Sequence, residues 1–182
     1  MLEKRIYTED SCGKAVRLLY ETAFPKEEQI PFAELIRLIP LMKLDFTVYY
    51  DGDELIGFTI VYPGIKFNWF WYFAVRKELR GHGYGQRILS RLLERYTHGT
   101  NILDMESPEQ DCENIGQRKR RHAFYRRNGF CDTGIGKSFE GIDYTIMKSE
   151  GAPFDINDYE QLLDELRSMW QGMPAPDNQR QL

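Results

Sequence analysis

The sequence predicts an α/β fold in which helices cover both faces of a mixed, mostly antiparallel central sheet. Three observations predict it. Two β-branched and aromatic runs, Phe46 to Tyr50 and Leu55 to Tyr62, flank Asp51-Gly52-Asp53-Glu54, and Asp-Gly between such runs signals an antiparallel hairpin. Phe67 to Val75 has almost no polar residue, as expected of a central strand covered on both faces. After Val75 the chain alternates strand and helix, the pattern of an α/β protein.

The elements follow in order. Lys4 to Tyr7 reads as a short strand, and Ser11 to Phe24 as a helix, because Ala15, Val16, Leu18, Leu19 and Ala23 recur at near-helical spacing. Pro25 ends that helix. Pro31 opens a second one through Leu41, with Phe32, Leu35, Ile36, Leu38 and Ile39 as its apolar face. Past the hairpin, Pro63-Gly64 turns the chain into the central strand. Gly85 to Tyr96 is a helix with Ile88, Leu89, Leu92, Leu93 and Tyr96 on one stripe and Arg87, Arg91 and Arg95 opposite, stopped by His98-Gly99. Asn101 to Met105 is a strand, Glu106 to about Glu113 a polar loop, and a helix then runs through Phe124 and Tyr125 to Asn128-Gly129. Phe130 to Thr133 and Ile142 to Met147 complete the sheet.

These elements make residues 1–149 one domain. Glu150-Gly151-Ala152-Pro153 reads as a linker, and Leu162, Leu163, Leu166, Met169 and Trp170 recur at helical spacing on a C-terminal helix. That stripe must dock, within its own chain or in a homodimer. Beyond Gly172, Pro174 and Pro176 in polar surroundings indicate a loose tail, so residues 150–182 form an appendix of linker, helix and tail.

Composition narrows the function. No stretch approaches the roughly 20 apolar residues of a membrane span and the N-terminus lacks a secretion signal, so a cytoplasmic protein with no membrane role is expected. Cys12, Cys112 and Cys131 are odd in number and form no CxxC pair, so free thiols are expected. His82, His98 and His122 have no metal-ligand spacing, and no metal is assigned. The net charge of -4 conceals a basic centre: Phe73 to Phe130 holds twelve Lys/Arg against seven Asp/Glu, +5, leaving -9 elsewhere. A basic middle in an acidic chain suits a polyanionic small ligand better than nucleic acid.

The chemistry concentrates at Arg80-Gly81-His82-Gly83-Tyr84-Gly85, between the central strand and a helix. Glycines remove side chains and let backbone N–H groups converge on an anion, and the helix start adds partial positive charge. Spacing alone is equally compatible with a structural turn. No Gly-Lys-Ser or Gly-Lys-Thr makes it a P-loop, and Gln86 stands where a dinucleotide fingerprint needs glycine, although Asp104 lies where a ribose-binding acid would.

Arg80, Gly83 and Gly85 fit a signature of Arg or Gln, two residues, Gly, one residue, then Gly or Ala. With the strand end Phe73-Ala74-Val75 before it and Ala123-Phe124-Tyr125-Arg126-Arg127-Asn128-Gly129-Phe130 some forty residues on, the chain resembles the GNAT superfamily of acetyl-CoA-dependent N-acetyltransferases from about Lys4 to Met147. The resemblance implies a strand that parts from its parallel neighbour at Val75, with pantetheine pairing along Phe73, Ala74 and Val75. It implies pyrophosphate on the segment Arg80, Gly81, His82, Gly83, Tyr84, Gly85, Gln86. It also implies a backbone N–H at the thioester oxygen and Tyr125 as proton donor to the departing thiolate. One position departs from the pattern: an Asn common seven residues before the tyrosine is Arg118 here, which is expected to reach a phosphate instead.

An ammonium acceptor must lose a proton before it attacks. Glu106, at the end of the strand beside the cofactor gap, is the candidate base, acting through water. Trp69, Phe70, Trp71 and Tyr72 offer an aromatic wall for the acceptor, and Glu27 and Glu28 offer attraction for a cation. Solvated charge and core packing are the competing readings of these residues. The arginine-rich run Arg118-Lys119-Arg120-Arg121 with Arg126-Arg127 reads as a solvated helix face with some groups directed to coenzyme phosphates. The expected activity is direct acetyl transfer to a small-molecule or peptide amine. The alternatives are a coenzyme A sensor without catalysis and a nucleic-acid binder using the arginine-rich helix.

Overall fold

The computed structural model describes residues 1–6, 8–139 and 141–172. The expected tail with Pro174 and Pro176, Tyr7 at the end of the first strand, and the side chains of Cys12 and Glu27 lie outside the described residues. Seven strands, β1 (Leu2–Ile6), β2 (Asp45–Asp51), β3 (Glu54–Pro63), β4 (Phe67–Val75), β5 (Thr100–Glu106), β6 (Phe130–Phe139) and β7 (Ile142–Ser149), form one sheet in the order β1-β2-β3-β4-β5-β7-β6. Only β4 and β5 pair parallel; every other pair is antiparallel.

The helices are α1 (Glu9–Ala23), α2 (Phe32–Met42), α3 (Tyr84–Arg95), α4 (Ile115–Arg127) and α5 (Ile156–Gly172). They divide between the two faces. Val16 and Tyr20 of α1, Leu35 and Leu38 of α2, and Tyr159, Leu162 and Leu166 of α5 pack with Phe46, Phe58 and Trp69 of the sheet. On the other face Ile88, Leu89 and Leu92 of α3 and Tyr125 of α4 pack with Tyr49, Ile56, Phe70 and Leu103. The C-terminal stripe therefore docks on its own chain, where burial of each large apolar side chain contributes about 1.5–3 kcal/mol. Among the described residues no helix is long and apolar enough to cross a membrane, and no group of His, Cys, Asp and Glu converges as metal ligands. Cys112 and Cys131 are free thiols.

Two irregularities in the sheet shape the site. Between β3 and β4 the register shifts, with Ile60 opposite Tyr72 but Val61 opposite Phe70, so Trp71 is an extra residue on β4. The bulge breaks strict alternation, and Trp71 and Tyr72 both pack toward the α1/α2/α5 face. The second irregularity corrects the expected end of β6 at Thr133. The strand continues to Phe139 because a register shift between Asp132 and Gly136 absorbs Gly134, whose φ of 76° suits glycine. Pairing resumes at Gly136, opposite Thr145.

Candidate active site

The site begins where the two parallel strands part. β4 meets β5 only from Phe67 to Trp69, against Thr100 to Ile102. Beyond Trp69 the β5-facing edge of β4 has no strand partner among the described residues. A cleft of about 730 Å³ opens there, lined by Phe73, Ala74 and Val75 of β4, by Arg80, Gly81, Gly83, Gly85 and Gln86, and by Gln117, Arg120, Arg121, Phe124, Tyr125 and Arg127 of α4.

The glycine loop forms one end of this cleft. Gly81 and Gly83 have φ of 83° and 79°, in the left-handed region that excludes most side chains, and a Cβ on either would meet nothing within 4 Å. Among the described residues the amides of 81–83 donate to no backbone carbonyl, and those of the first turn of α3 have no intrahelical acceptor. Converging unpaired amides at a helix start form an anion cradle. The Arg80 Nε donates to the Val75 carbonyl at 3.1 Å and ties the cradle to the end of β4. Two loop side chains turn elsewhere: the His82 ring lies 3.1 Å from the Arg80 carbonyl, and the Tyr84 hydroxyl donates to Asp51 at 2.8 Å. His82 and Tyr84 thus bring only their backbone.

Helix α4 supplies the other wall. It is polar around most of its circumference, with Arg118 and Tyr125 its only buried residues. Arg120, Arg121 and Arg127 line the cleft, which accounts for the local positive charge. Arg118 does not line it. Its guanidinium is 2.9 Å from Glu106 and also donates to Asn114 and Gln110, so the buried charge expected at a phosphate is used inside the protein. Glu106 lies otherwise than expected as well. It is 3% exposed, pairs with Arg118 at 2.9 Å and Arg121 at 3.6 Å, and lines neither cavity of the site. Its carboxylate is held by arginines and lies outside the lining of both cavities.

Tyr125 stands at a junction. Its side chain lines the cleft and also a second cavity of about 460 Å³, and Phe73 and Arg121 are shared in the same way. Burial pushes the Tyr125 hydroxyl up to about 12, with Arg121 acting in the opposite direction. Among the described residues that hydroxyl makes no hydrogen bond, so it is protonated at neutral pH and its donor is uncommitted.

The second cavity is lined by Trp69, Phe70, Trp71 and Tyr72 of β4, Lys137 and Phe139 of β6, Tyr144 of β7, Glu28, and Leu163, Leu166, Arg167 and Trp170 of α5. Tyr72 donates to the Glu28 carbonyl at 2.6 Å and Tyr144 to its carboxylate at 2.9 Å, so both ends of Glu28 are held. Burial raises the Glu28 carboxyl, the Tyr144 hydrogen bond lowers it, Glu106 and Asp104 raise it, and Arg121 lowers it, for a net upward shift. Lys137 and Phe139 were missed from sequence because β6 read as ending before them, and Tyr144 because the pattern of β7 does not say which cavity it borders. Leu166, Arg167 and Trp170 were missed because nothing in a helical stripe says which cavity it borders.

Comparison with known proteins agrees with this architecture. Residues 43–132 match the model of the acetyltransferase (GNAT) domain family. A structure from Bacteroides thetaiotaomicron, assigned to the GNAT acetyltransferases, is 25% identical with a TM-score of 0.73, over 96% of this chain and 100% of that one. A GNAT acetyltransferase from Elizabethkingia anophelis, solved with acetyl-CoA bound, is 14% identical with a TM-score of 0.58, over 82% and 97%. The aminoglycoside 6'-N-acetyltransferase from Enterococcus faecium is 16% identical with a TM-score of 0.64, over 85% and 99%. At their identities the last two attest to the fold alone. No curated protein matches the sequence. Residues 43–132 thus resemble an acetyltransferase domain of the GNAT family, and the chain has the fold of acyltransferases assigned to that family.

Proposed function

We propose that this protein transfers the acetyl group of acetyl-CoA to a primary amine by direct attack within a ternary complex. The observation that carries this reading is the meeting of two cavities at Phe73, Arg121 and Tyr125, one ending in unpaired amides and the other holding a half-buried carboxylate. The first is suited to a pantetheine arm and diphosphate. The open edge of β4 offers strand-like hydrogen bonds, the amides of 81–86 offer an anion nest, and Arg80, Arg120, Arg121 and Arg127 offer charge. Relatives of the same fold have been solved with acetyl-CoA or coenzyme A, which supports the same ligand here.

The second cavity receives the amine. Removing a proton from a lysine-like ammonium costs about 4 kcal/mol at neutral pH, so a base is useful. Glu28 takes that role in place of Glu106, because it faces the cavity and its carboxyl is raised toward the range where a base works well. The ammonium passes one proton to Glu28, and the neutral nitrogen then attacks the thioester carbon. As the C–N bond forms and the C–S bond breaks, Tyr125 donates its proton to sulfur and recovers one from the acylated nitrogen. The products are an amide, free thiol and protonated Glu28. A β4 backbone N–H steadies the oxygen of the reacting carbonyl.

Isothermal titration with acetyl-CoA tests the first cavity: the wild type binds, and Gly83→Trp, which fills the cradle, does not. Thiol release with an amine panel tests the second. Absence of acetyl-CoA binding refutes the reading, and binding without turnover on any amine replaces it with a coenzyme A sensor.

A further inference from the structure

The acceptor cavity has an unusual balance of charge. Asp104 is held by Lys137 at 2.7 Å and by the Trp69 indole N–H at 2.7 Å. Arg121 is paired with Glu106, and Arg167 with Asp164 at 2.7 Å. Among the described residues lining the cavity, Glu28 is the one charged group without an ion-pair partner. Glu28 is thus the carboxylate open to one ammonium, its charge partly offset by Arg121, which shares Glu106 with Arg118. A second ammonium would meet Lys137 or Arg167, already cationic, with no free carboxylate to receive it.

The wall beside Glu28 is aromatic. The rings of Trp69 and Trp71 stack with centroids 4.7 Å apart at 19°, and Trp71 and Tyr72 continue the stack at 5.1 Å and 27°. The bulge at Trp71 creates this surface by turning two successive residues to the same side of the sheet. Across the cavity Trp170 of α5 is 37% exposed, a large apolar ring left at the rim. An aromatic lining with Trp71 and Trp170 both reaching the cavity favours a planar apolar body over a flexible or heavily hydrated one.

Resting on the transfer reaction proposed above, we infer that the acceptor is a small monoamine with a flat aromatic body, an arylalkylamine in chemical class, its ammonium at Glu28 and its ring against the half-buried Trp71, with Trp170 closing the open side. A polycationic amine is a poor substrate by the same argument, even though aminoglycoside acetyltransferases share the fold.

The test is steady-state thiol release by the full chain with acetyl-CoA and four acceptors: phenethylamine, tryptamine, spermidine and kanamycin. Calorimetric acetyl-CoA binding and thermal melts are run on every variant. The expected kcat/KM for the two aryl amines exceeds that for spermidine and kanamycin by about tenfold or more. Trp71→Ala and, on the exposed helix, Trp170→Ala each raise KM for tryptamine by about tenfold, leaving kcat and acetyl-CoA affinity nearly unchanged. Trp170→Ala keeps the inference testable should Trp71→Ala melt early. Equal or better turnover of spermidine or kanamycin overturns the acceptor class and leaves acetyl transfer standing. So does an unchanged KM in both variants. Loss of acetyl-CoA binding by the wild type overturns both readings.

Discussion

Gly57→Ala couples the packing of the sheet to the cofactor cleft. Gly57 lies in β3 opposite Val75, the last residue of the open β4 edge. A Cβ at position 57 would stand 2.2 Å from the carbonyl oxygen of Ala74 and 3.2 Å from its carbon. An ordinary carbon-to-oxygen contact is about 3.3 Å, so the two strands must separate by about 1 Å. The obstructing atom is backbone held in a ladder and has no rotamer to swing aside. Overpacking of this kind costs about 1–3 kcal/mol. At about 2–4 °C per kcal/mol for a chain of this size, Tm falls by about 2–12 °C. The same movement displaces the β4 edge proposed to receive the thioester, and a 1 Å misplacement costs up to about 10²-fold in rate. Differential scanning fluorimetry and thiol release measure the two effects. A variant that melts within 1 °C of wild type and keeps full turnover, by the resolution expected of such melts, would refute the argument.

Other perturbations separate the roles of individual residues. Tyr125→Phe lowers kcat by about 10²-fold with little change in acetyl-CoA affinity, and because burial lifts the hydroxyl to about 12, the wild-type rate shows no basic limb from this group at ordinary working pH. Glu106→Gln leaves Arg118 buried without its counter-charge and destabilises by about 3–5 kcal/mol, read by urea unfolding; a melt unchanged from wild type would contradict the structural role given to the pair. Glu28→Gln has opposite effects on stability and rate. Since burial raises the folded-state carboxyl, its contribution to stability is full at low pH and is lost as pH rises from the unfolded carboxylate value through the folded one. Gln in its place keeps an acceptor for Tyr144 and removes the half-buried charge. Tm therefore rises at neutral pH, the gain disappears in acid, and turnover falls; a gain that persists at low pH would disprove the linkage.

Periodicity alone found most elements because it is a property of neighbours along the chain. Ile88, Leu89 and Leu92 repeat at helical spacing and are buried on α3, and the apolar run from Phe67 to Val75 is the central strand. The glycine loop was legible for the same reason. A positive φ at Gly81 and Gly83 is a local requirement, and its place between strand and helix is fixed by the order of residues. Harder to read were residues whose surroundings come from distant parts of the chain. Glu28 receives its hydrogen bond from Tyr144, 116 positions away, and only that encounter distinguishes it from any solvated carboxylate.

What the sequence determined by itself was the succession of strands and helices, the bare-backbone loop at the start of α3, and the basic character of the segment around it. Only the tertiary structure decided that Trp71 and Tyr72 face the same cavity, that β6 carries Lys137 and Phe139 to it, and that Arg118 is spent on Glu106. The physical reason is register. A single inserted residue reverses which face every later side chain of a strand occupies, at almost no cost to local propensity. Which carboxylate is left with an unpaired charge is then set by the neighbours that register delivers.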